Sequence, residues 1–590
     1  MEGYVPKQEK NRKAEPTNLK YETFNQIPRI FVGSRTHKQI TQLVDELKEN
    51  TTYRPRMTVL ASREHLCVHP KVSKSSTKAD DCNALLDKKK CIYAHNTHKI
   101  VRHSDLKTSK RVWDIEDLVK LGKSPQIRGC PYYASRKLYE GAEIIFCPYN
   151  YIIDPIIRSA LDIQIKNAIV IIDEAHNIED SSRQAGSFEV NENELKILTM
   201  ELGQLVRGGV EAEAHNHMLY FIDSILGWIQ DNDNEYSIKE YEQHVNVWSG
   251  TQLLEKLAQL GIKATTFDST IKTAFKSVSA HATMVRREAE DANVDQRVAD
   301  DLADGEVRIH QRKCVSNNGL SVLQALIMII GFFFEEGKTY SFDYRMALIK
   351  KIERGGKKKG KMNKKAKTKV ADLVVDPSEW NFKLCFWCLN PGAIFRQLTD
   401  DTHSVILTSG TLSPMNTFES ELETKFAAKL EANHVISSSQ VWVGTIPAGP
   451  NNISLKGTYT NMESFQYQDD LGEALYQILD VVPFGVLCFF SSYGTLDKLT
   501  ERWKLTGIME KMEKKKLILT EPRKSGKNDF EKMMKQYNDM ICAVESDSNE
   551  TSQTGALIFG VFRGKISEGI DFTDNTCRAV VSIGIPYPGL

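Results

Sequence analysis

The chain has 590 residues, with 77 Lys and Arg against 77 Asp and Glu, a formal net charge of zero and 11 cysteines. This length calls for several domains with ample core. Zero net charge excludes a uniformly basic surface, so any nucleic-acid contact must come from local patches. The polar opening Met1-Glu2-Gly3-Tyr4 is unlike a secretory signal. Without such a signal, 11 cysteines speak against a disulfide scaffold and for a reducing compartment, with some thiols free to ligate metal.

In chain order, one pattern recurs: an apolar run, then a polar loop. Run 29–33 leads into Ser34-Arg35-Thr36-His37, and a helical pattern follows over 39–47. Residues 63–134 interrupt the pattern; they are rich in Cys, His and Lys and poor in strand signals. Run 144–147 leads into Pro148-Tyr149-Asn150-Tyr151, and run 168–172 into Asp173-Glu174-Ala175-His176. Residues 190–380 then read as mainly helical, with charged faces such as 286–304. Within them, the apolar stretch 322–334 is too short to span a bilayer and contains Gln324, which predicts a buried helix. A lysine run over 357–369, broken by Gly360, suits a solvated loop tip, a nuclear localisation signal or a DNA contact.

The pattern resumes with run 405–407 before Thr408-Ser409-Gly410-Thr411-Leu412-Ser413-Pro414. Run 486–490 precedes Ser491-Ser492-Tyr493, run 556–562 precedes Arg563-Gly564-Lys565, and run 579–583 precedes Gly584-Ile585-Pro586. Repeated βα units predict an α/β fold with parallel sheets and ligands at the strand ends. The units fall into two groups, before and after about residue 430, which predicts two sheet domains.

The most informative stretch is the acidic one. Run 168–172 is too apolar to alternate, as suits a strand buried on both faces, and it ends in Asp173-Glu174 with His176 two residues on. Two carboxylates at such a strand end suit metal-assisted phosphoryl transfer: one to hold Mg²⁺ on a nucleotide, the other to orient the attacking water. The plain alternative is an ordinary strand end followed by an acidic helix start.

Cys67, Cys82, Cys91 and Cys130 lie in the first interruption, separated by 14, 8 and 38 residues. Four thiolates can hold a [4Fe–4S] cluster or a zinc ion. No close Cys-x₂₋₄-Cys pair favours zinc, whereas Cys130-Pro131 is like the ending of some cluster-binding runs. His65, His69, His95 and His98 keep a mixed zinc site open, and spacing alone leaves cluster, zinc and no metal all standing. Cys385 and Cys388 match Cys-x-x-Cys but sit in a strand-like run, where side chains three apart face opposite ways. They are read as core.

Together these motifs resemble the iron–sulfur superfamily 2 DNA helicases, typified by the xeroderma pigmentosum group D helicase. Asp-Glu-Ala-His resembles their Walker B box. Cys67-Val68-His69-Pro70, Cys130-Pro131-Tyr132-Tyr133, Trp248-Ser249-Gly250 and the stretches 146–151, 386–391 and 441–446 resemble the group J branch of that family most. The resemblance implies two RecA-like domains, the first carrying an iron–sulfur insertion and a helical Arch. The implied boundaries are 1–62, 135–190 and 381–430 for the first RecA-like domain, 63–134 for the cluster, 191–380 for the Arch and 431–590 for the second RecA-like domain.

The resemblance also implies roles. Asp173 would hold Mg²⁺ through water, Glu174 would position the hydrolytic water, and His176 would couple hydrolysis to movement. ATP would bind between the sheets, with Gly569 and Asp571 facing it, in a motif that also includes Glu568. Ser34, Arg35 and Thr36 would contact the DNA backbone, as would Arg563; Ser409, Gly410 and Thr411 would link the DNA and nucleotide sites. A helix cap is the alternative for Ser34 and Thr36, and a surface salt bridge for Arg563. Cys67, Cys82, Cys91 and Cys130 would ligate the [4Fe–4S] cluster. Single-stranded and forked DNA, ATP and repair proteins are the implied partners, in the nucleus and away from membranes.

Two expected parts are missing. A phosphate cradle needs G-x-x-x-x-G-K-[ST]. Gly122-Lys123-Ser124 has Asp117 where the upstream glycine belongs, and Gly337-Lys338-Thr339 follows Gly331 at one residue too many. The arginines of motif VI, worth about three to five decades of rate in related enzymes, would lie past Leu590. The sequence therefore predicts a helicase truncated at both ends, with negligible ATP hydrolysis by this polypeptide. The alternatives are a natural DNA-binding or regulatory truncation and a zinc-containing nucleic-acid scaffold.

Overall fold

The computed structural model describes residues 28–75, 77–87, 90–107, 112–232, 238–239, 243–295, 314–334, 340–352, 380–433, 436–523, 527–546, 552–567, 570 and 572–585. The lysine run 357–369, residues 296–304 of the charged face, and Glu568, Gly569 and Asp571 lie outside them. The chain divides into two compact units, Met1–Leu430 and Glu431–Leu590.

Among the described residues the first unit holds ten strands: β1 Ile30–Ser34, β2 Met57–Val59, β3 Ile144–Pro148, β4 Ile169–Asp173, β5 Phe188–Asn191, β6 Ile238–Lys239, β7 Gln243–Ser249, β8 Tyr344–Ile352, β9 Trp380–Cys388 and β10 Ser404–Thr408. Five of them form a parallel sheet in the order β10-β4-β1-β3-β2. Both faces of this sheet are covered, which is why its strands read as unbroken apolar runs. Neighbouring residues of β3 serve different cores. Ile145 and Cys147 pack with Phe31, Val170 and Ile172, while Phe146 packs on the other side with Val59 and with Ile40 and Val44 of helix His37–Glu49.

Two stretches interrupt this sheet. Between β2 and β3 the described residues of 63–134 form short helices and no strand. Between β4 and β10 the described residues are mainly helical, but they also hold a sheet that the sequence did not announce. Long helices are present, among them Glu192–Arg207, Ala212–Asp231, Lys272–Asp295 and the buried Asn317–Phe333. They share the segment with a five-stranded antiparallel sheet in the order β5-β9-β8-β7-β6. Its longest ladder, Tyr344↔Cys388 to Ile352↔Trp380, joins strands separated by the lysine-rich stretch, so no short turn advertised the pairing. Cys385 and Cys388 are both buried in β9.

The second unit is a parallel sheet of β11 Phe484–Phe490, β12 Leu517–Thr520, β13 Gly555–Val561 and β14 Ala579–Ile583, in the order β12-β13-β11-β14. Helices Phe465–Val481, Tyr493–Leu505 and Ile508–Lys515 cover one face through Leu475, Leu499, Trp503 and Met509. Helix Lys527–Glu545 covers the other through Met533, Tyr537 and Ile541. Central β13 is buried along its whole length. The α/β class with two parallel sheets is therefore observed, and all seven apolar runs are strands.

Candidate functional site

Parallel register brings three strand ends of the first unit side by side. Gly33 pairs with Ile172 and Thr408 with Asp173, so Ser34 and Asp173 end adjacent strands and Ser409 follows the next one at the same edge. The Ser34 side chain is fully buried. Its hydroxyl lies 3.4 Å from Asp173 Oδ2 and 3.2 Å from Gln39 Oε1. Thr36 caps helix His37–Glu49: its hydroxyl accepts from Gln39 N–H at 3.3 Å, and Gln39 Oε1 accepts from Thr36 N–H at 3.0 Å. Both hydroxyls are thus engaged within the protein, and Arg35 is the exposed member of the three.

Glu174 adopts a left-handed backbone, φ +53°, a conformation a glutamate holds only when its surroundings enforce it. The turn brings His176 back beside it, with Nδ1 3.1 Å from Glu174 Oε2 and 2.9 Å from Ser409 Oγ. Ser409 Oγ is 3.1 Å from Glu174 Oε2 and accepts from Thr411 N–H at 3.3 Å. Gly410 lies exposed between them, with open space where a Cβ would stand. Burial, and then the adjacent Glu174 charge, raise the Asp173 carboxyl above the usual range. Half-buried, crowded carboxylates of this kind fit a divalent cation, which would relieve the repulsion.

In the second unit Arg563 also has a left-handed backbone, φ +63°. Its side chain is exposed and makes no ion pair among the described residues. The turn it occupies is held by Glu521, a residue the sequence did not single out.

The four insertion cysteines come from separate helices and line one cavity, together with Val68, His69, Val72, Leu85, Tyr93, Ala94 and Tyr133. Cys67 ends helix Arg63–Leu66, Cys82 lies within Lys78–Asp87, and Cys91 and Cys130 precede Ile92–His95 and Pro131–Tyr139. Among the described residues, no group of three or more His, Cys, Asp or Glu is arranged to hold a single metal ion. Burial raises the Cys67 and Cys82 thiols and pushes Cys130 up to about 12. A bound metal centre would have to displace those protons.

Of the four histidines considered beside them, His69 lines the cavity, and its Nδ1 is 3.3 Å from the backbone N–H groups of Lys71 and Val72. The His65 ring lies tilted against that of His37, their centres 4.2 Å apart, and His98 Nδ1 lies 3.1 Å from the His95 carbonyl. Sequence reasoning passed over Arg63, whose guanidinium lies 4.4 Å over the Tyr132 ring and 3.3 Å from the Tyr133 hydroxyl. Its signal was a position one helical turn before Cys67.

A DEAD_2 family model matches residues 32–195, and a helicase C-terminal domain model matches residues 475–590. The Fanconi anemia group J protein homolog of Gallus gallus is 38% identical over 585 residues, covering 96% of this chain and 44% of that protein. The regulator of telomere elongation helicase 1 homolog of Aedes aegypti is 32% identical over 583 residues, covering 96% of this chain and 54% of that protein. A solved structure of an XPD helicase aligns with a TM-score of 0.44 at 17% identity, over 95% of this chain and 78% of that one. The domains present are those of a helicase. Among helicases, the chain belongs to the family of the Fanconi anaemia group J protein. It spans about half the length of the curated relatives it matches. No helix among the described residues is long and apolar enough to cross a membrane.

Proposed function

We propose that the chain carries the acidic side of the nucleotide site of an ATP-dependent DNA helicase that moves 5′ to 3′ along single-stranded or forked DNA in nuclear repair of interstrand cross-links. The observation that carries this reading is the meeting of Asp173, Glu174, His176 and Ser409 at adjacent strand ends. Asp173 would hold Mg²⁺ through water, and the cation would neutralise charge on the nucleotide phosphates. Glu174, fixed by the Ser409 hydroxyl and by its own turn, would orient the attacking water. His176 bridges Glu174 and Ser409, so a change at the nucleotide reaches the loop Ser409-Gly410-Thr411 through one hydrogen-bonded step. Gly569 and Asp571 are assigned to the nucleotide; Ser34, Arg35, Thr36, the Ser409–Thr411 loop and Arg563 are assigned to DNA. Among these, Arg35 and Arg563 are exposed cationic groups suited to phosphate oxygens.

Cys67, Cys82, Cys91 and Cys130 are proposed to hold a [4Fe–4S] cluster. Four thiols around one cavity supply as many ligands as such a cluster takes. The cluster would staple short helices that otherwise share one core with Ile40, Val44 and Val59.

One observation favours a second reading. The sequence contains no G-x-x-x-x-G-K-[ST] box, so the polypeptide as given would bind DNA without turnover. Single-stranded and forked DNA binding and DNA-stimulated ATP hydrolysis, measured on the chain and on Glu174→Gln, decide between them. Hydrolysis lost in Glu174→Gln supports the enzyme. DNA binding with no hydrolysis in either protein supports the second reading. Absence of DNA binding overturns both.

A further inference from the structure

Glu521 lies one residue past β12 and is only 3% exposed. Its oxygens accept two backbone N–H groups from the following strand end: Oε1 from Lys565 at 2.6 Å and Oε2 from Val561 at 3.3 Å. Its own N–H donates to the Phe559 carbonyl at 2.9 Å. No cationic side chain pairs with this carboxylate among the described residues. The buried charge is therefore held by oriented amides, an arrangement that fixes the turn carrying those amides. The residue between them must be small, because a Cβ at Gly564 would stand 2.5 Å from Oε2 and 2.8 Å from Oε1. Arg563, inside the same turn, is held at φ +63° with its guanidinium exposed. Two residues past Glu521, Arg523 pairs with Asp497 and lies 5.0 Å from the centre of the Tyr493 ring. One short stretch thus touches the first turns of the helix after β11 and braces the loop after β13.

We propose that Glu521 is a positioning residue for nucleic-acid binding: its carboxylate latches the Val561–Lys565 turn so that Arg563 meets a backbone phosphate of single-stranded DNA. The proposal rests on the DNA reading of Arg563 above. A glutamine at 521 keeps the volume but offers one acceptor oxygen where two N–H groups need one each, so the turn loosens.

The test is anisotropy of a labelled oligothymidylate titrated with the full chain at several salt concentrations. Glu521→Gln and Arg563→Ala are each expected to weaken binding about tenfold. Each should also flatten the plot of log affinity against log salt by about 0.7, the share of one phosphate contact on a single strand. The double variant should bind within about twofold of Arg563→Ala, since both changes remove one contact. Gly564→Ala, which drives a methyl group into the carboxylate, should reproduce Glu521→Gln and serves if that variant folds poorly. Weakening in Arg563→Ala with none in Glu521→Gln or Gly564→Ala overturns the latch alone. An undiminished Glu521→Gln effect in the Arg563→Ala background also overturns it, because the carboxylate then acts on the fold at large. An unchanged affinity and salt slope in Arg563→Ala overturns the DNA reading of that residue and the latch with it.

Discussion

Lys516 offers a quantitative test of the second unit. Its side chain is fully buried, and the ammonium donates to the carbonyls of Phe484 and Thr554 at 3.0 and 3.1 Å. These bonds tie down the start of β11, where Phe484 has φ +58°, a strained conformation for a bulky side chain. Burial lowers the Lys516 pKa from 10.5 to about 8. Below pH 8 the amine is charged in both folded and unfolded states, and the cost of burying that charge is constant. Between about 8 and 10.5 the unfolded chain binds a proton that the folded chain lacks, so stability rises with pH. Above 10.5 both states are neutral and the gain is complete. At about 1.4 kcal/mol for each pH unit of displacement, the whole gain is about 3 kcal/mol.

Other groups oppose it. The buried Cys488 thiol and Tyr537 phenol are pushed upward by burial, so their unfolded counterparts ionise first and destabilise the fold in alkali. They are common to wild type and Lys516→Met and cancel in the difference. Urea denaturation of both proteins from pH 7 to pH 10.5, followed by amide exchange in β11 and β13, should show wild type gaining about 3 kcal/mol relative to Lys516→Met across the window. Parallel pH curves for the two proteins would show that the ammonium is solvated and refute the reasoning.

Three further outcomes follow from the same structure. Cys130→Ser should remove iron and visible absorbance and loosen amides within 63–134, while β1, β3 and β4 stay protected; unchanged iron would take Cys130 out of the ligand set. Ser409→Ala removes the hydroxyl between Glu174 and His176 and should cost only about 1 kcal/mol in thermal unfolding, because the site is partly exposed. It should also shift the His176 imidazole resonances, and unshifted resonances would argue against the bridge. Gly485→Ala would press a methyl group onto the Thr576 carbonyl and the Tyr537 hydroxyl and should cost about 3 kcal/mol in urea denaturation. A loss below about 0.5 kcal/mol would mean the contact relaxes freely.

Local signals made much of this protein legible. Seven strands could be located because a strand covered on both faces must be apolar along its length, as Ile169-Val170-Ile171-Ile172 is. The cap at Thr36 and the acidic pair after β4 were visible for the same reason: each is a short-range pattern tied to an element's end. Short strands such as Met57–Val59 and Leu517–Thr520 carry too few residues to show a period. The β8–β9 ladder was hidden because no compact turn joins its strands. Only the tertiary structure decided that the Ser34 hydroxyl turns inward to Asp173, 139 residues away, or that Ser409 meets Glu174 across 235. It alone drew four thiols from four helices around one cavity and set Glu521 beneath the Val561–Lys565 turn. Those contacts are fixed by strand register and helix packing between distant segments, and no local period in a sequence encodes which distant partner a side chain will meet.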